Sequence, residues 1–146
     1  MIEINNDDIK TILHQISNKY ILPKYNKLNE LDIMKKKDNS LVTSVDIEVE
    51  NQLEILLKKL ISSSLFIGEE SYEHDPSILL NYTNNNYCWT VDPIDGTKNF
   101  IKGKDKFAIM LALSFKSKIL QSWIYKPIED EFCYSMNGGG VFINDV

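Results

Sequence analysis

The segment Trp89-Thr90-Val91-Asp92-Pro93-Ile94-Asp95-Gly96-Thr97-Lys98-Asn99-Phe100 constrains this chain more than any other. Tyr87 to Val91 is rich in aromatic and β-branched residues and reads as a strand. Two aspartates bracket a proline where that strand is expected to stop. Pro93 fixes its own φ and pushes Asp92 towards an extended conformation, so the chain turns sharply, and both carboxylates with the Ile94 carbonyl can converge on one point. Hard divalent cations want such oxygen clusters. Gly96 lets the backbone approach closely and Thr97 stands at a helix start, which makes an anion site of free amide groups. Asp-Pro and Asp-Gly are equally ordinary turn pairs, with Asp92 or Asp95 acting as a cap.

Other acids are presented in the same way. Gly68-Glu69-Glu70-Ser71 follows the short apolar run Leu65-Phe66-Ile67, so a second strand end carries carboxylates. Asp46 stands on the first turn of an expected helix and is a further candidate, although helix N-termini attract aspartate for dipole reasons alone. These acids outnumber nearby bases, and crowding carboxylates is costly unless cations join them. The constellation predicts a metal. His14 and His74 are isolated, a helix-face residue and a loop residue, and no zinc spacing is present, so magnesium fits best.

The flanking pattern gives the fold class. Ile9, Ile12, Leu13, Ile16 and Tyr20 recur at helical spacing from Asp7, with a kink or end expected near Ile21 because of Pro23. Lys35 to Ser40 reads as a solvated loop, and its lysines are left unassigned. Thr43-Ser44-Val45-Asp46 resembles a capping segment opening a second helix that runs to about Leu60. Val45, Val49, Leu53, Leu56 and Leu60 should face the core, with Glu48, Glu50, Lys58 and Lys59 mostly in water. Tyr72 to Asn86, including Asn84-Asn85-Asn86, reads as a surface excursion with one turn of helix near Ile78. Phe107 to Phe115, Ile119 to Tyr125 and Glu131 to Ile143 read as three antiparallel strands, with turns at Lys116-Ser117 and Pro127 to Asp130. Two helices followed by a meander indicate a layered α+β domain rather than alternating βαβ units.

Composition narrows the function. The chain has 146 residues, 43% of them hydrophobic, enough for a single core. A net charge of -5 offers no broad basic surface, which argues against a nucleic-acid polymer as partner. Cys88 and Cys133 read as buried free thiols in a reducing, cytoplasmic compartment, and no segment is long and apolar enough for a membrane.

Gly68-Glu69-Glu70-Ser71 and Trp89 to Phe100, with Leu41-Val42-Thr43-Ser44-Val45-Asp46 upstream and Gly139-Gly140-Val141-Phe142-Ile143-Asn144 downstream, resemble the inositol monophosphatase family in order and separation. The resemblance implies a layered sandwich of the inositol monophosphatase and fructose-1,6-bisphosphatase type. It implies hydrolysis of a small phosphate monoester, inositol monophosphate first, by water activated by about two or three magnesium ions. Glu69, Asp92 and the Ile94 carbonyl would bind the activating metal, and Asp92 with Asp95 a second one. Thr97 and Glu69 would position the attacking water, with Asp46 behind it; the Gly96 and Thr97 amides, beside Asp95, would hold the phosphate. Lithium sensitivity and a homodimer are further family traits.

Two departures stand out. Family members carry a third metal-binding aspartate in a Trp-Asp motif further on, which is absent here, so residues 1–146 are expected to be an incomplete domain, the N-terminal portion, with weak or absent turnover. An inactive metal-binding fragment is the alternative from another class. Lys98 leans towards bisphosphate nucleotidases and Asn99-Phe100 towards inositol phosphatases, while histidinol phosphate and sugar phosphates stay open.

Overall fold

The computed structural model describes residues 1–83 and 85–146; Asn84, part of the expected surface excursion, lies outside them. Asn5 caps the first helix, α1 (Asn6–Ile16), by accepting the Asp7 N–H at 2.9 Å. Ile9, Leu13 and Ile16 are buried along one face, as their spacing predicts. A single π-turn, Ser17–Ile21, then releases the chain ahead of Pro23, which could not have continued the ladder.

Strands β1 (Ile33–Lys35) and β2 (Leu41–Thr43) form an antiparallel hairpin, so the lysine loop is its tip. Helix α2 (Ser44–Leu60) opens on a capping box in which the Thr43 side chain accepts the Val45 and Asp46 amides and Asp46 answers to the Thr43 backbone. Both ends match the sequence reading. Its buried face differs from the expected one: Leu57 replaces Leu56, Leu56 and Leu60 are only partly buried, and Glu50, expected in water, is 5% exposed. Asp46, Glu50, Leu53 and Leu57 keep a spacing of three and four, so the stripe continues through a charged position.

The sheet follows. In chain order come β3 (Leu65–Gly68), α3 (Glu69–His74), a 3-10 stretch Pro76–Thr83, β4 (Tyr87–Asp95), α4 (Thr97–Ile101), β5 (Ala108–Phe115), β6 (Lys118–Lys126), β7 (Glu131–Met136) and β8 (Gly140–Ile143). The strands lie in sequence order, β3 parallel to β4 and every later neighbour antiparallel. A parallel pair needs a crossover, and α3 with the 3-10 stretch supplies it, so the expected excursion is more helical than one turn. The span Glu131 to Ile143, expected as one strand, is two. Gly138 at φ 79° and Gly140 at φ 91° reverse the chain between them.

Helices α1 and α2 cover one face of the sheet. Trp89, Val91, Leu111, Leu113, Trp123, Tyr125 and Phe132 form one buried cluster with the apolar helix faces, and the Trp89 and Trp123 rings lie 5.8 Å apart. The other face, including Thr90, Met110, Ala112, Ser122 and Ile124, is half-buried. Cys88 is buried and Cys133 half-buried, both free thiols. Among the described residues no helix is long and apolar enough to cross a membrane.

Truncating Leu53, which is fully buried where α2 meets the core, is expected to cost about 2–5 kcal/mol in urea unfolding as Leu53→Ala. Ile119→Ala, at a position 56% exposed, should stay within roughly 0.5 kcal/mol of the parent.

Candidate functional site

The expected aspartate turn begins inside β4 rather than after it. Asp92 is opposite Met110 and Asp95 opposite Ala108, so β4 uses one more residue than β5 over this stretch and bulges. Pro93 sits in the bulge, where the ladder does not need the N–H it lacks. Gly96 follows in the left-handed region, at φ 89° and ψ 35°, and a Cβ there would stand 2.8 Å from the Lys106 carbonyl. No other residue type fits both demands. Thr97 opens α4, whose first amides have no acceptor within the helix.

Asp46 ties this turn to α2. Its fully buried carboxylate accepts the Thr43 N–H at 2.8 Å and the Thr43 hydroxyl on Oδ2, and the Thr97 hydroxyl at 2.9 Å on Oδ1. The Thr97 Oγ1 also lies 3.0 Å from the Ile94 carbonyl, so its single proton has two acceptors. Burial pushes the Asp46 carboxyl above its ordinary range, against the pull of its bonds to Thr43 and Thr97.

Asp92 carries the strongest electrostatic signal. Its Oδ1 is buried and has no hydrogen-bond partner among the described residues. Burial, then the charge of the neighbouring Glu69 carboxyl, and after it the charges of Asp95 and Asp46, push Asp92 up to about 8. Glu69 and Asp92 line a common cleft of about 540 Å³ with Tyr72 and Thr90. Asp95 is exposed and lines a different cleft, beside Lys106 and Glu129.

Two residues were missed by the sequence reading. Lys36 does not point into solvent from its loop: its side chain is 8% exposed and its ammonium bonds Glu69 at 2.9 Å and Glu70 at 3.1 Å. Burial alone would lower Lys36, but its bonds to Glu69 and Glu70 outweigh that and hold it above the usual lysine range. Burial, opposed by the Lys36 bond, raises Glu70 to about 7. Glu50 is the other. Its carboxylate accepts the Glu70 N–H at 2.7 Å and the Ser71 N–H at 2.8 Å, closing the first turn of α3. The four-residue interval from Asp46 was the available signal for Glu50, since it places both on one helix face. Nothing in a run of three lysines distinguishes Lys36.

The arrangement suits a hard cation in its donor chemistry without being a closed cage. An unpartnered buried carboxylate oxygen sits among acids that repel one another, and a divalent ion relieves both conditions. Among the described residues no three His, Cys, Asp or Glu side chains stand at metal-holding spacing, so Glu69, Asp92 and Asp95 are not convergent as they lie. The Ile94 carbonyl faces the Thr97 hydroxyl.

The model of the inositol monophosphatase family matches residues 7–146. Inositol monophosphatase 1 of Bos taurus is 35% identical over 117 residues, covering 80% of this chain and 41% of that protein. The solved structure of the extragenic suppressor protein suhB from Bartonella henselae superposes with a TM-score of 0.80 at 27% identity, covering 95% of this chain and 51% of the other. An IMPase/NADP phosphatase complexed with Mg2+ and phosphate superposes at 0.77, with 26% identity, covering 97% and 51%. The chain spans less than half the length of the curated relatives it matches.

The raised Asp92 fixes the sign of a pH effect. Folding favours its protonated form, so this contribution to stability is whole below the unfolded value near 4 and is lost as pH rises through about 8. In chelator at pH 8.5 Asp92→Asn should therefore melt above the parent, by roughly 3–8 °C, with the gap closing at pH 5. Scanning calorimetry at both pH values measures it.

Proposed function

The chain belongs to the inositol monophosphatase family, and from that premise we propose that it forms the cation- and phosphate-binding part of a phosphatase acting on a small soluble phosphate monoester, with inositol monophosphate the first candidate. The observation that carries this reading is the unpartnered, buried Asp92 Oδ1 beside Glu69, at the head of the turn that Asp46 and Thr97 brace.

In this reading Glu69, Asp92 and the Ile94 carbonyl would hold the activating magnesium ion, and Asp92 with Asp95 a second. Bound there, magnesium would supply Lewis acidity at the phosphoryl group and a lower pKa for water. The rest is done by the chain. Helix α4 offers the Gly96 and Thr97 amides to phosphate oxygens, and Gly96 keeps that approach free of a side chain. Asp46 orients the Thr97 hydroxyl by accepting its hydrogen bond on Oδ1, which leaves the lone pairs of Thr97 Oγ1 to accept a hydrogen bond from the attacking water, with Glu69 as the water's other acceptor. The water attacks in line with the leaving alkoxide, so no bond to the protein forms. A chain of net charge -5 processes an anion in this way only with cations present.

Cytoplasmic residence, lithium sensitivity and a homodimer belong to the same proposal; the two free thiols support the first. Lys98, at the exposed start of α4, keeps bisphosphate nucleotides and histidinol phosphate among the substrates to test. A second reading, a cation-binding module without turnover, would place its cation on Asp92 alone, because Lys36 occupies the Glu69 carboxylate that the first reading needs for the activating metal.

Phosphate release from inositol, nucleotide, histidinol and sugar phosphates, with magnesium or with chelator, separates these readings. We expect slow, magnesium-dependent release that falls at least about 100-fold in Asp92→Asn. Release that persists in chelator would sink the reading, and magnesium binding with no release would favour the module.

A further inference from the structure

Asp46 and Glu50 stand four residues apart on α2, and both side chains are buried. That spacing puts them on one helix face about 6 Å apart along its axis. Asp46 reaches the turn that opens α4; Glu50 reaches the turn that opens α3. One rigid stripe therefore touches both segments that bring acids to the cleft.

We propose that Glu50 is a positioning residue for Glu69, its carboxylate fixing the turn Gly68 to Ser71 from which Glu69 reaches the cation site. The assignment rests on the cation reading above. Both oxygens of Glu50 are used, Oε2 by the Glu70 N–H and Oε1 by the Ser71 N–H, so the carboxylate sets the direction of α3 as well as its place. The Ser71 hydroxyl completes the turn, accepting the Gly68 N–H at 2.9 Å.

Gly68 shows how close this fit is. Its backbone, at φ -99° and ψ 163°, is open to any residue, so conformation does not require glycine. Space does. A Cβ at Gly68 would lie 2.1 to 2.4 Å from the Glu50 carboxylate atoms. The glycine of the Gly68-Glu69-Glu70-Ser71 motif leaves room for Glu50, and the two form one device. A neutral cap would satisfy the same amides without adding a negative charge beside Glu69 and Glu70. A charged acceptor that engages two amides at once is instead suited to holding one geometry.

The test is magnesium titration by calorimetry, with amide hydrogen exchange on the same proteins. Glu50→Gln keeps one acceptor oxygen and sets an NH2 against the other amide. It should weaken magnesium about tenfold or more and speed exchange at Glu70 and Ser71. The double variant Glu50→Ala with Gly68→Ala fills the vacated space with a Cβ. Its thermal midpoint should recover relative to Glu50→Ala while its magnesium affinity stays low. Parent-like affinity in Glu50→Gln, or affinity restored in the double variant, overturns the positioning role. If Asp92→Asn binds magnesium as the parent does, or the parent binds none, the cation reading falls and takes this assignment with it. Loss in Asp92→Asn with full binding in Glu50→Gln removes the Glu50 assignment alone.

Discussion

The buried carboxylate of Asp46 is the contact on which the rest of the site depends. It closes the capping box that starts α2, so it fixes where the helix begins. It also accepts the Thr97 hydroxyl from a turn 51 residues away, and so joins that helix to the end of β4. Because α2 is packed on the sheet through Val49, Leu53 and Leu57, a slip by one residue would misplace the core stripe and the carboxylates together. Local capping, packing and site geometry are three consequences of one helical register.

The electrostatics run against folding in a way the packing does not. Asp46, Glu50, Glu70 and Asp92 are all raised by burial, and Lys36 is the cation that partly offsets Glu69 and Glu70. Local conflict of this kind stands out in a domain whose caps, turns and core otherwise agree, and it is what the proposed cation site would relieve. Lys36 and a divalent ion want the same Glu69 oxygens. The hairpin of β1 and β2 is thereby coupled to the cleft, since its tip supplies the ammonium.

Much of this was legible beforehand. Thr43-Ser44-Val45-Asp46 announced α2 because capping boxes are local, and Lys116-Ser117 announced a tight turn for the same reason: both residues adopt positive φ. Asp92-Pro93-Ile94-Asp95-Gly96-Thr97 announced a sharp turn because proline and glycine restrict a backbone whatever surrounds it, although its carboxylates do not converge as expected. What escaped was non-local. Glu50 looked like a water-facing helix residue until α3 lay across it, and Lys36 looked like one of three equivalent lysines until its loop folded over Glu69. The break at Gly138 and the helical crossover after Gly68 depend on sheet pairing that no short window contains.

The most direct measurement is a crystal structure of the chain with Mn2+, located by its anomalous signal. If the cleft is a cation site, manganese lies against Asp92 Oδ1 and a Glu69 oxygen at about 2.1–2.2 Å, and the Lys36 ammonium has left Glu69. Manganese bound elsewhere, or absent while Lys36 still holds Glu69 and Asp92 Oδ1 stays unpartnered, would contradict it.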